Sequence, residues 1–360
     1  MTRKLLLGTT AIIAGGVVVA DMAEAADPLR LEIRGYRNEY FGVSSTESDV
    51  DQENFGNTVL RSEGEVHFRG STTLDNGIEI GVQVELEAAS QGDQIDENYV
   101  DISGGFGEFR IGSDDPAGQK VGVVSPGVGT PISSGWVEDF VPAPTGHETL
   151  GFGTTINAFG DNNAITYFSP RFLGFQIGAT YVPTVDEDEA GEGENSIQDD
   201  NERDHGVSAG LNFSRSFNGI DVEAGAGIQH VAEPDEDQNN ESDIQVYNFG
   251  AAVGFGGFTV GGSYGLVNNP EGANDGYAWD AGVSYESGPW GVSAQVVMAE
   301  AEGDDPQGDE DESLTFGGAV AYALGPGIKT DFTVIYADYD GENGDDGDGI
   351  AAVLGLSVGF

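Results

Sequence analysis

Apolar and polar residues alternate one by one along most of this chain, in short runs separated by turn signals. Leu31, Ile33 and Gly35 share one face, with Arg30, Glu32, Arg34 and Tyr36 on the other. Ser62, Gly64, Val66, Phe68 and Gly70 alternate with Arg61, Glu63, Glu65, His67 and Arg69. Ile80, Val82, Val84 and Leu86 alternate with Glu79, Gly81, Gln83, Glu85 and Glu87. A period of two predicts strands, each with one wet and one apolar face. Shorter strands follow around 98–103, 109–111, 165–167 and 175–181. Further strands are expected at about 206–215, 220–231, 244–255, 258–267, 276–286, 290–300, 313–324, 327–338 and 350–360. Residues 42–57 read as a polar loop.

The alternation stops at 114–150. Pro126, Pro142, Pro144 and several glycines break any strand there, and no helical period replaces it. Structureless connectors of this length are uncommon in compact folds and usually functional. This one is expected to fold into a space that the strands enclose.

The other connectors alternate in length. Tight turns (Asp75–Gly77, Gly104–Gly107, Ser169–Gly174, Phe217–Gly219, Gly256–Gly257, Ser287–Pro289, Gly325–Gly327) interleave with long acidic ones (184–204, 232–243, 301–312, 339–349). Long loops at one end, short turns at the other and about sixteen strands predict an all-β fold. It is a transmembrane antiparallel β-barrel with an inward-folded third long loop. Aromatics such as Tyr167, Phe168, Phe175, Tyr181, Trp290 and Tyr336 lie near strand ends, where interfacial girdles sit.

Composition narrows the class. A formal charge of −50 excludes nucleic acid as a natural partner. The absence of Cys excludes disulfide frameworks and thiolate metal sites. Arg3 and Lys4 precede an apolar run from Leu5 to Ala20 and the small-x-small site Ala23-Glu24-Ala25. Residues 1–25 are therefore expected to be a cleaved secretory signal, and 26–360 the barrel. Gly-x-Ser-x-Gly occurs at 206–210, 261–265 and 355–359, inside alternating strands and not at the strand–turn–helix elbow that hydrolases need. His67, His147, His205 and His230 show no ligand spacing, so neither an enzyme nor a cofactor is expected.

The segments GSTTLDNGIEIGVQVELEA (70–88), ITYFSPRFLGFQIGATYVP (165–183) and VLGLSVGF (353–360) resemble a known family. The whole mature chain is similar to the general diffusion porins of Gram-negative outer membranes. That resemblance implies a sixteen-stranded homotrimer in outer-membrane lipid, passing small hydrophilic solutes passively. It also implies that residues 114–150 narrow the channel, setting loop acids opposite wall arginines. The candidate constriction residues are Arg34, Arg61, Arg69 and Arg110 on the wall. On the loop they are Asp114, Asp115, Glu138 and Asp139.

Acids so outnumber bases that a cation-preferring channel is expected. Small outward residues on the first strands (Gly35, Ser62, Gly64, Gly70, Asn98) suit subunit contact, so strands one to five are the expected trimer interface. The acidic loops are read as solvated, mutually repelling surface, with loop-bound calcium as the alternative. A solute-specific channel, or a secreted acidic adhesin or calcium-dependent surface protein, are the competing functions.

Overall fold

In the computed structural model the described residues are 28–50, 53–89, 94–133, 136–147, 154–155, 157–185, 205–232, 243–268, 275–302, 310–341 and 344–360. The expected signal segment 1–25, Glu148 and most of the acidic loops lie outside the described residues.

The first five strands are β1 (Arg30–Ser48), β2 (Thr58–Thr73), β3 (Glu79–Glu87), β4 (Ile95–Gly104) and β5 (Gly107–Ser113). A four-residue helix, α1 (Ala117–Lys120), sits in the long connector. Then come β6 (Asn163–Phe168), β7 (Phe175–Val182), β8 (His205–Phe217), β9 (Ile220–Ala232) and β10 (Ile244–Phe255). The last six are β11 (Phe258–Asn268), β12 (Gly276–Ser287), β13 (Trp290–Ala301), β14 (Asp311–Gly325), β15 (Ile328–Asp340) and β16 (Gly347–Gly359). Each strand pairs antiparallel with its sequence neighbours, and β1 closes the ring on β16.

The two faces are inverted relative to a water-soluble protein. Leu31, Leu60, Ile177, Phe249, Phe332 and Leu354 are exposed on the outside, whereas Asp280, Asp331, Thr315 and Thr333 are buried inside. An apolar outer band around a polar interior is what a lipid-embedded barrel requires. Among the described residues no helix is long and apolar enough to cross a membrane. The predicted tight turns hold the backbone that makes them tight: Gly77, Gly107, Gly219, Gly257 and Gly327 have positive φ.

Three expectations are corrected. Residues 42–48 continue β1 and do not begin a loop, because they pair in register with β16 from Gly42↔Val353 to Ser48↔Gly347. The last acidic connector is short, since β15 reaches Asp340 and β16 starts at Gly347. Phe168 points into the barrel, where it packs on Ala117 and Val121, and takes no part in an outer aromatic girdle.

Candidate functional site

The long connector leaves β5 at its end and turns inward. Gly112 allows this, with φ +134 and a backbone pressed against Asn98 and Tyr99 of β4. At the root of the loop, Asp114 is 2% exposed and held between two cations. Arg110 Nη1 lies 2.8 Å from its Oδ2, and Lys120 Nζ lies 2.6 Å from its Oδ1. Arg110 also bonds Glu108 at 2.7 Å and sits over the ring of Tyr99. Lys120 bonds Glu97 at 3.1 Å. Burial works against the Lys120 charge, but Asp114 and Glu97 outweigh it and raise its pKa.

From α1 onward the loop runs along the inner wall from β7 to β15 and exchanges hydrogen bonds with β7, β8, β10, β12, β13 and β15. Ala117 N donates to Thr180 and Gly118 N to Ser208. Asn212 and Asn248 donate to the carbonyls of Val121 and Gly118. Ser125 N donates to Asp280 at 2.8 Å, and Gln295 donates back to Ser125. Val128 N donates to Ser293, Lys329 donates to Val128 O, and Thr130 N donates to Thr333. Each rung satisfies a backbone group that would otherwise cost about 1–3 kcal/mol to bury unpaired.

So close an approach leaves no room for wall side chains. A Cβ on Gly225, Gly227 or Gly250 would overlap the carbonyl oxygens of Val121, Gly118 or Val123. On Gly282 it would come within 3.0 Å of Pro126 O. The inner faces of β9, β10 and β12 therefore form a glycine track in which the loop lies.

The far end of the loop is anchored by apolar packing. Ile132, Val137, Phe140 and Val141 are buried with Tyr40, Ile335, Tyr339, Ala351 and Val353. Tyr339 donates its hydroxyl to Val141 O at 2.5 Å. Phe140 presses on Gly42 of β1. Asp139 forms an ion pair with Arg61 of β2, whose guanidinium stacks 4.2 Å above the Trp136 ring. His147 is buried edge-on against Tyr339. Burial lowers its pKa despite the nearby charges of Asp311, Asp345 and Glu138.

The structure thus brings Arg61 to Asp139 and Arg110 to Asp114. Glu138 is half-buried beside Asp139. Among the described residues, Arg34 and Arg69 make their ion pairs with the wall and not with the loop. Arg34 binds Glu32, and Arg69 binds Asp101 at 2.9 Å. Lys120, Asp161 and the polar rungs escaped sequence reasoning. The one signal of the rungs was the frequency of Gly, Ser and Asn at the inward positions of β7 to β13.

Asp115 faces Asp161 across the loop root. Burial, then the charges of Asp115, Asp96 and Glu97, push the Asp161 carboxyl up to about 8. Asp161 keeps the proton and donates it to Asp115, whose own pKa burial raises. Glu97, Asp115 and Asp161 offer oxygens within 4.8 Å of one another. Lys120 Nζ, 3.1 Å from Glu97 and 4.0 Å from Asp115, brings positive charge to this cluster. Among the described residues, two further groups of this kind are Glu65, His67 and Glu85, and Glu65, Glu87 and Asp96.

The sequence profile of a family described as Gram-negative porin matches residues 8–344. No curated protein matches the chain by sequence. Among solved structures, the trimer form of the Vibrio cholerae outer membrane protein OmpT superposes with a TM-score of 0.61 at 12% identity, over 93% of this chain and 100% of that one. An anion-selective porin from Comamonas acidovorans gives 0.61 at 15%, over 92% and 100%. A porin refined at 1.8 Å gives 0.57 at 20%, over 91% and 100%. At these identities the likeness speaks for the fold alone.

Between about pH 4 and about pH 8 the folded chain holds a proton on Asp161 that an unfolded chain has released. Stability therefore falls as pH rises across that window. Asp161→Asn keeps the hydrogen bond to Asp115 without the ionisation. Thermal unfolding in detergent at about pH 5 and about pH 9 is expected to show a smaller loss for this variant than for the wild type. An equal loss contradicts the assignment.

Proposed function

This chain belongs to the Gram-negative porin family of outer-membrane diffusion channels, and we propose that its pore prefers cations. Family and fold favour a channel over an enzyme, and the family match favours a channel over a secreted adhesin. The proposal rests on one observation: the cations at the loop and on the wall of β2 to β5 are already neutralised, while carboxylates remain. Arg61 is matched by Asp139, Arg69 by Asp101, Arg110 by Asp114, and Lys120 by Asp114 and Glu97. Glu63, Glu65 and Glu85 lie on the same wall, and among the described residues no Arg or Lys is within ion-pair distance of them. The surplus charge draws counter-ions into the lumen.

In this reading the loop is the constriction. Arg61, Arg110, Asp114, Asp115, Glu138 and Asp139 line or brace it, while Arg34 and Arg69 shape the approach from the side of the tight turns. The Comamonas relative shares the fold and is described as anion-selective. On the proposed reading, the lining and not the barrel sets the difference in selectivity between the two.

A homotrimer is the assembly we propose. On the outer face of β1 and β2, Arg37 and Glu39 form a 2.7 Å pair, with Ser62 donating to Glu39 and Arg37 to the carbonyl of Ala88. Gly64 lies against Arg37, and Gly35 precedes Arg37 by two residues on the same face. An arginine facing mid-bilayer lipid costs about 2–4 kcal/mol, which a neighbouring subunit over this patch removes.

Step conductance in planar bilayers is expected, with a reversal potential under a KCl gradient of cation-preferring sign. Asp139→Asn combined with Asp115→Asn is expected to shift that potential toward zero. Anion preference in the wild type contradicts the proposal. Chemical cross-linking in detergent is expected to trap trimers, and a ladder that stops at monomer counts against the interface.

A further inference from the structure

The lumen face of the β2–β3 hairpin carries a mixed set of possible metal ligands, two of whose carboxylates belong to the surplus charge described above. His67 and Glu85 face each other directly across the two strands, and Glu65 precedes His67 by two residues on the same face. His67 Nε2 lies 2.6 Å from Glu65 Oε2 and 3.3 Å from Glu85 Oε2. One nitrogen and two carboxylate oxygens thus fall within 4.8 Å of one another. Their side chains are 26%, 14% and 12% exposed, which leaves them partly shielded yet reachable from the lumen.

Tyr36 on β1 holds the set in place. Its hydroxyl donates to Glu65 Oε1 at 2.6 Å, leaving Oε2 toward His67. Its ring meets the imidazole edge-on at 6.3 Å between centroids. A hydroxyl that bonds the carboxylate's other oxygen, and a ring that fixes the imidazole plane, are the kind of outer support that orients metal ligands. Glu87 and Asp96 lie within ligand distance of Glu65 on its other side and add to the local negative potential.

We propose that Glu65, His67 and Glu85 bind a first-row divalent cation of the zinc class, with a fourth position open to lumen water. Imidazole beside carboxylates selects such an ion over calcium or magnesium, which favour all-oxygen shells. Ligand atoms around tetrahedral zinc lie roughly 3.3 Å apart, as follows from bond lengths of about 2.0–2.1 Å. The His67–Glu85 spacing of 3.3 Å already matches, and the 2.6 Å between His67 and Glu65 must open slightly. An ion seated here places two positive charges on the stretch of wall where uncompensated carboxylates collect, and so lowers the cation preference of the pore.

Zinc chloride titrated into the purified full-length mature protein in detergent, followed by calorimetry, tests the site without requiring conductance. One saturable site per barrel is expected. His67→Gln or Glu85→Gln is expected to weaken it by more than about tenfold, and Tyr36→Phe by about tenfold. Magnesium chloride at the same concentration is expected not to compete. In bilayers, zinc is expected to move the wild-type reversal potential toward anions and to leave that of His67→Gln in place, each channel being compared with its own current in EDTA. No saturable zinc heat in the wild type, or equal affinity in His67→Gln, overturns the proposal. Because the heat is measured without a bilayer, failure of the site and failure of the channel reading give different results.

Discussion

A polypeptide backbone that crosses the inside of a barrel must satisfy its amides and carbonyls and must find room to lie down. Both demands are met here by the inner faces of β7 to β15. Thr180, Ser208, Asn248, Asp280, Gln295 and Thr333 supply hydrogen bonds at the places where the loop passes. Glycines at 225, 227, 250 and 282 supply the space. Everything else in the lumen follows from that contact. With the loop held to one side, the acids and arginines of β2 to β5 face the remaining opening. The loop's two ends reach that wall at Asp114 and Asp139.

The electrostatics divide along the same line. Where the loop meets the wall, charges are matched: Asp114 with Arg110 and Lys120, Asp139 with Arg61. Partly buried pairs of this kind are weak stabilisers overall, but removing one partner strands the other and is costly. They fix position more than they add stability. Away from those contacts the wall keeps an excess of carboxylates, on which the proposed cation preference rests. The hairpin site at Glu65, His67 and Glu85 lies in that excess and offers a means to reduce it.

Much of this was legible in the sequence. Alternation located all sixteen strands, and the Gly-containing turns marked their tight ends because only glycine takes the required φ at low cost. The long connector betrayed itself by breaking the period. What alternation could not tell was which inward residues face water and which face the loop, since Gly, Ser and Asn serve both. Phe168 misled because an aromatic near a strand end looks the same from either side of the wall. Residues 42–48 were obscure because their polar composition mimics a loop, and only the partner strand β16 shows them to be paired. The partners of Lys120 come from β4 and the loop root, and Glu85 reaches His67 from β3, so spacing along the chain showed only Glu65 beside His67.

The central claim is that the loop rests in the glycine track while the pore conducts. The natural chain has no cysteine, so a single tether can be introduced cleanly. A Cβ on Gly291 of β13 would lie 3.3 Å from the Cβ of Val128 on the loop, near the roughly 3.5–4.5 Å that disulfides prefer. Val128→Cys with Gly291→Cys should therefore cross-link on oxidation in the folded barrel, and single-channel conductance should be the same oxidised and reduced. Failure to cross-link, or a conductance that changes severalfold when the bond closes, would show that the open channel holds its loop elsewhere.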